Sequence, residues 1–394
     1  MKSTLIKLVA VLMLAVGLPE GVVSSTYSAS DPSTTMQQQP SCSESSSSSP
    51  HLPLVDKEDP RQVFLGRLLD RLWIQYRSRQ PWVQLYEEVM MMMATDDDDE
   101  NNEKPTTRNF FRNDHVAFRT IATSSSSSSS GINAIGRLLE ALGYHASTTY
   151  NFPKKHLGAI HYEHLTNPLL PKMFVSELRL WELLEDDGVA RDIVQRVLMS
   201  SSRKNKVLTD DLLVKLYTLG KKKKDWTTHD DDEDDDDDEE ALLELLSQYL
   251  EQPLWDPPTR EDLEKVHAVS QYGAWVLVHG YRPNHFTALV EDIDTTVELM
   301  QKRGIPMKAS GIEGAKGSKL RQTATEASQM NIVLAADNDD DGSTTTTIPW
   351  SYAYFEIAER NNIIIDGVKQ RYEGFLGAQA TELFEMTQQQ QRQE

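Results

Sequence analysis

The 394-residue chain has a single cysteine, Cys42, which lies in a Ser-rich stretch near the N-terminus. That excludes an intramolecular disulfide and any metal site built on several thiolates. Arginine is missing from the first fifty residues, which argues against a mitochondrial address. Beyond the N-terminus no apolar run is long enough to span a bilayer, so no membrane segment is expected in the mature protein. An excess of basic residues is also missing, the net charge being −21. The acidity is local: Asp230–Glu240 is eleven consecutive acids, Asp96–Glu100 five, and Asp337–Asp341 contains four. Without these runs the chain is nearly neutral. They read as solvated insertions that speak against a nucleic-acid partner. They also lack the spaced ligands and turn glycine of a calcium loop.

What is present starts with "MKSTLIKLVAVLMLAVGLPEGVVSS", two lysines followed by an apolar run from Leu8 to Leu18 and then small residues. That is the pattern of a secretory signal peptide. The stretch after it is rich in Ser, Thr and Gln, and it fits either a linker or the second half of a two-part organelle address. The chain divides into a targeting segment (1–24), a disordered Ser/Gln-rich linker (25–57), one catalytic domain (58–385) and a disordered tail (386–394). Low-complexity insertions are expected at 95–104, 123–131, 220–240 and 337–347. With 39% hydrophobic residues, seven Trp and thirteen Tyr, the domain can bury a substantial core.

Helical spacing of Val63, Leu65, Leu68, Leu69, Leu72 and Trp73 predicts a helix broken at Pro81. The methionines that follow (Met90–Met93) read as buried helix. Two later regions share a plan. The first runs strand (HVAFRTI), helix (INAIGRLLEALGY), strand (HLGAIHYEH), strand (FVSELRL). The second runs strand (HFTALVE), helix (IDTTVELMQKRG), strand (KLRQTATEA), strand (AYFEIAER). Gly143 and Gly304 close the two helices, where a left-handed cap is expected. This internal repeat predicts an α+β fold in which two strand–helix–strands modules form one cupped mixed sheet, with added helices.

Strand alternation puts His115, Ala117 and Arg119 on one face. His285 opens the matching strand of the second unit. In the closing strand Tyr352, Tyr354, Glu356 and Ala358 share a face, with Phe355 and Ile357 opposite. Two histidines and a carboxylate on inward faces offer three ligands on one side of a metal. That set suits non-haem Fe(II), and imidazole with carboxylate also fits Zn, Mn or Ni. Glu177 holds a place in the first unit like that of Glu356 in the second, and symmetry does not choose between them. His156, His161 and His164 read as non-ligands, since residues three apart on a strand face opposite ways.

"DHVAFRTI", "NHFTALV" and "YAYFEIAER", in this order on a doubled plan, resemble the 2-oxoadipate dioxygenase/decarboxylase (2-hydroxyglutarate synthase) family, related to the vicinal-oxygen-chelate enzymes. The resemblance spans roughly residues 60–385. It implies Fe(II) as cofactor, held by His115, His285 and Glu356, with vicinal-oxygen-chelate-like modules around it. It further implies a small 2-oxo diacid and O2 as partners: 2-oxoadipate would chelate the iron and give 2-hydroxyglutarate and CO2, as in lysine breakdown. Arg119 would pair with a substrate carboxylate, a task suited to a planar guanidinium. "YEGFLGAQATELFEMT" resembles a family segment that closes over the distal end of the substrate. Ala378 and Gln379 stand there in place of the family's Val and Ser, so substrate length is open. Gln322 and Thr323 are further pocket candidates.

Two other readings compete: a vicinal-oxygen-chelate lyase or isomerase using another divalent metal, and a metal-free binding protein. Plant members of the family are plastid proteins, and the N-terminal pattern fits two-step import into a plastid. Secretion or a mitochondrial address is the alternative.

Overall fold

The chain is led in by α1 (Pro60–Arg79) and α2 (Pro81–Asp96), separated by Gln80 as Pro81 requires. The computed structural model describes residues 55–96, 112–125, 127, 129–183, 188–200, 208–219, 233–336 and 345–375. Cys42, the 1–24 segment, most of the 25–57 linker, Ala378, Gln379 and the 386–394 tail lie outside the described residues. Asp59 caps α1 by accepting from the Arg61 amide, with Pro60 in the first turn, where a missing N–H costs nothing. Phe64, Leu68, Leu72, Trp73 and Tyr76 form its buried face. Each such large side chain contributes roughly 1.5–3 kcal/mol on leaving water. The methionine run continues α2, but Met91 is 41% exposed, so it is not wholly buried as expected.

The first repeat unit comprises β1 (Asn113–Ala122), α3 (Asn133–Ala141), β2 (Tyr144–Phe152), β3 (Leu157–His164) and β4 (Lys172–Arg179). Then come α4 (Gly188–Met199), α5 (Asp210–Thr218), α6 (Glu233–Glu251), α7 (Arg260–Val269) and α8 (Gln271–His279). The second unit comprises β5 (Pro283–Leu289), α9 (Ile293–Lys302), β6 (Leu320–Ala324), β7 (Gln329–Ala335), β8 (Thr345–Ser351) and β9 (Glu356–Arg360), and β10 (Asn362–Ile365) with β11 (Val368–Arg371) closes the described chain. Seven strands form one mixed sheet in the order β2-β3-β4-β1-β5-β9-β6. Within each unit the first strand runs parallel to the last, β1 with β4 and β5 with β9. The units join through the antiparallel β1–β5 pair. Gly143 and Gly304 carry positive φ, 97° and 87°, as the cap reading expected.

β2 and the β7–β8 hairpin are strands that the sequence pattern does not mark. The segment matching β2 in the second unit is reduced to isolated bridges, Met307 with Thr325 and Glu313 with Gln322. Regular elements reach into the expected insertions. β8 begins at Thr345, inside the expected 337–347 insertion. The last eight residues of the 220–240 insertion, Glu233–Glu240, are the start of α6. Acidic residues suit the N-terminal turns of a helix, and here Glu239 and Glu240 pair with Arg67 while Glu240 and Glu244 pair with Arg71, both arginines on α1.

Candidate metal centre

The β1–β5 register sets His115 against Thr287 and Ala117 against His285. Exchanging the two units therefore maps His115 onto His285 and Ala117 onto Thr287. Paired residues share a face of the sheet, so both imidazoles emerge on the same side at its seam. β9 adds the third group, because Glu356 lies beside Thr287.

Glu356 is aimed by an irregular stretch just before β9. The carbonyls of Tyr352, Ala353 and Tyr354 accept from Trp275 Nε1 (2.5 Å), Gln80 Nε2 (2.6 Å) and the Tyr76 hydroxyl (2.5 Å). Buried carbonyls outside a ladder need such partners, and α1, the Gln80 that follows it and α8 provide them. The expected alternation fails here: Tyr354 stacks on the His285 ring at 4.6 Å, but Tyr352 packs against Tyr76 and His279 on the helical side.

The three groups converge. His115 Nε2 lies 3.3 Å from His285 Nε2 and 3.4 Å from Glu356 Oε1, and His285 Nε2 is 3.7 Å from Glu356 Oε2. One ligand atom from each lies within 4.8 Å of the other two, and all three residues are buried. Each imidazole is turned by the side chain before it, His115 Nδ1 by Asp114 at 2.9 Å and His285 Nδ1 by Asn284 at 3.2 Å. Both contacts leave Nε2 free to ligate, the arrangement expected around a bound metal. The Thr287 hydroxyl sits 3.1 Å from His115 Nε2.

Electrostatics support a cation. Neither Glu356 oxygen has a hydrogen-bond partner, and burial pushes its carboxyl well above the usual carboxylate range, Glu313 and Asp114 adding to the rise. Burial also lowers both imidazoles, His285 further because of His115 and Arg119. A buried, unpaired carboxylate beside two neutral imidazoles is costly alone and suited to a divalent ion. Asp114 differs: burial alone would raise it, yet Arg360 and the His115 bond hold it well below the usual range.

Arg119 is 2% exposed. Its guanidinium lies over the Tyr272 and Trp275 rings, 5.2 Å from each centroid, and neither terminal nitrogen has a hydrogen-bond partner. Such a group calls for an anionic ligand. Gln322 shares a face with Glu356 through the β6–β9 register and leaves its Oε1 unpartnered. Thr323 faces the other way by alternation and donates to the Gly311 carbonyl. Its expected pocket role is therefore not met.

Glu177 is not the counterpart of Glu356. Ala117 pairs with Phe174 as Thr287 pairs with Glu356, so Phe174 occupies the matching place. Glu177 matches Glu359 instead, and the two do the same work: Glu177 accepts from the Ile132 amide and Glu359 from the Ile293 amide, at the starts of α3 and α9. His156, His161 and His164 lie elsewhere, with His161 bonded to Tyr150 and Glu163 and His164 accepting from the Asn167 amide. Sequence reasoning missed Phe375, whose ring meets His115 edge-on at 4.9 Å. It also passed over Asp114 and Asn284, although each stands next to its histidine.

The fold has relatives among solved structures. A glyoxalase-superfamily protein from Ralstonia eutropha superposes with TM-score 0.60 at 22% identity, covering 79% of this chain and 88% of that one. The Oryza sativa hydroxyglutarate synthase in complex with 2-oxoadipate superposes with TM-score 0.58 at 21% identity, covering 87% and 98%. In sequence, a rice protein named 2-oxoadipate dioxygenase/decarboxylase, chloroplastic/amyloplastic, is 26% identical over 300 residues, 70% of this chain and 68% of the relative. The chloroplastic Arabidopsis thaliana protein of the same name is 25% identical over 305 residues, 71% and 68%. With residues 68–394 matching the family model for 2-oxoadipate dioxygenase/decarboxylase, the chain belongs to that family.

Proposed function

We propose that the protein is an Fe(II)-dependent dioxygenase that converts 2-oxoadipate and O2 to 2-hydroxyglutarate and CO2, a step of lysine breakdown. The observation that carries this reading is the buried convergence of His115, His285 and Glu356, with both carboxylate oxygens unpartnered. The equation balances: the C1–C2 bond breaks and C1 leaves as CO2 with its own two oxygens, one oxygen atom of O2 turns the keto carbon into the new carboxylate, and the other becomes the new hydroxyl. His115, His285 and Glu356 would hold ferrous iron, which would supply the one-electron chemistry that dioxygen requires.

The chain's own residues do the rest. Asp114 and Asn284 hold each imidazole with Nδ1 protonated and Nε2 available. Arg119 takes a substrate carboxylate through its two unpartnered nitrogens, and Tyr272 and Trp275 keep water from its faces. Gln322 adds an amide on the same face. Phe375 covers the His115 ring. The distal contact implied for Ala378 and Gln379 belongs to the same proposal. The plastid names of the two plant relatives, with the N-terminal pattern, support a plastid location.

Anaerobically reconstituted protein given 2-oxoadipate is expected to consume O2 and release CO2 in equal amounts, with 2-hydroxyglutarate as product. Absence of O2 uptake with iron, alongside turnover with Zn, Mn or Ni, would replace this reading with a lyase or isomerase.

A further inference from the structure

Arg360 ends β9, four residues beyond Glu356, and its side chain is 0% exposed. It uses its donors in two directions. Toward the metal centre, Nε and Nη2 grip both oxygens of Asp114 at 2.6 and 2.8 Å. Asp114 Oδ2 is also the oxygen that accepts from His115 Nδ1. Toward the C-terminal side, Nη1 donates to the carbonyls of Tyr372 (3.2 Å) and Gly374 (2.7 Å). The guanidinium also lies 5.0 Å from the centre of the Phe375 ring, which covers His115. Lys172, in register with His115 on the neighbouring strand, holds the same segment through Glu373.

One planar side chain thus links the carboxylate that aims a metal ligand to the main chain of the strap (residues 372–375) above that ligand. Buried bidentate Arg–carboxylate pairs are directional, and Lys cannot reproduce such a fork. In the second unit Asn284, a neutral side chain, does the corresponding work for His285. We infer that Arg360 is a positioning residue that couples metal binding at His115 to seating of the 372–375 strap. A metal fixes His115 and so fixes Asp114 and the guanidinium, and a fixed guanidinium holds the two strap carbonyls. By reciprocity a seated strap strengthens metal binding to the same degree. The inference rests on the metal reading of the site.

The test is hydrogen exchange of residues 372–375, read by mass spectrometry with and without Fe(II) under anaerobic conditions, alongside iron affinity by chelator competition. In the wild type, iron is expected to slow strap exchange. In Arg360→Lys, iron affinity is expected to fall roughly 10- to 100-fold, as for loss of other groups that orient a ligand, and saturating iron no longer slows the strap. Should Arg360→Lys fail to fold, Asp114→Asn serves: it retains an acceptor for His115 yet is expected to speed strap exchange, though Asp114 reaches the strap through Arg360. Iron bound by the wild type with no change in the strap, or equal strap protection in both proteins, overturns the coupling and leaves the metal site standing. A wild type that binds no iron overturns both.

Discussion

His115 and His285 stand at matching places in two units built to one plan, and each is aimed by the residue before it. The units differ in what surrounds those histidines. In the second, the strand beside His285 brings Glu356 to the seam, whereas in the first the matching position is Phe174, packed against Phe375. Arg119, buried beside Tyr272 and Trp275, has Leu289 as its counterpart by the same register. The scaffold repeats but the ligands do not. Phe174 and Phe375 close one side of the site with aromatic rings, and the acid falls on the other. One half therefore offers an imidazole and a buried guanidinium with unpartnered nitrogens, the other an imidazole and the carboxylate.

The largest effect expected from breaking this asymmetry is that of Glu356→Gln, which keeps the shape but loses the charge. Turnover should drop by roughly three orders of magnitude or more, with iron lost from the purified protein by elemental analysis. Retained iron and activity would mean that the carboxylate is not a ligand. Arg119→Met comes next, leaving an apolar stem between the two rings. It should bind iron normally while kcat/KM for 2-oxoadipate falls roughly 100-fold, the range for losing charged hydrogen bonds. Leu289→Met, its matched control, should change turnover little. A similar loss in both would point to packing, not recognition.

A third effect depends on pH. Without metal, burial keeps Glu356 protonated well above its usual range, and both imidazoles, lowered by burial, are neutral. The metal complex holds fewer protons than the apoprotein, so affinity should rise with pH, by about tenfold per unit while Glu356 remains protonated. Calorimetry in buffers of different ionisation enthalpy should report about one proton released, from Glu356 alone. Zero protons would contradict the assignment. The smallest effect belongs to the features that the halves share. Glu177→Ala and Glu359→Ala should each cost about 1 kcal/mol in urea denaturation, the usual cost of losing a helix-start acceptor. Unequal costs would weaken the repeat.

The inward histidines, the helix-ending glycines and the doubled plan were legible because each leaves a local mark. "DH" and "NH" open strands, and Gly143 and Gly304 end amphipathic helices. β2 was not legible because most of its residues are exposed, so no alternation of apolar and polar residues marks it. The mistaken pairing of Glu177 with Glu356 has a different cause. Alternation fixes the face of a residue, but the place along a parallel ladder depends on which strand lies alongside, and that is absent from the local pattern. Phe375 was hidden for a similar reason, since its role follows from the Arg360 bonds to the carbonyls beside it.

The placement of His115 and His285 also bears on the order of events during synthesis. They are 170 residues apart in the chain yet 3.3 Å apart in the fold. A nascent first unit can offer one imidazole, and the second unit on its own offers one imidazole and a carboxylate. Neither partial set matches the affinity of all three. On the proposed metal reading, tight capture of an ion would therefore wait until the two units have docked along β1 and β5, which would make metal loading a late step and a report that the two units have come together.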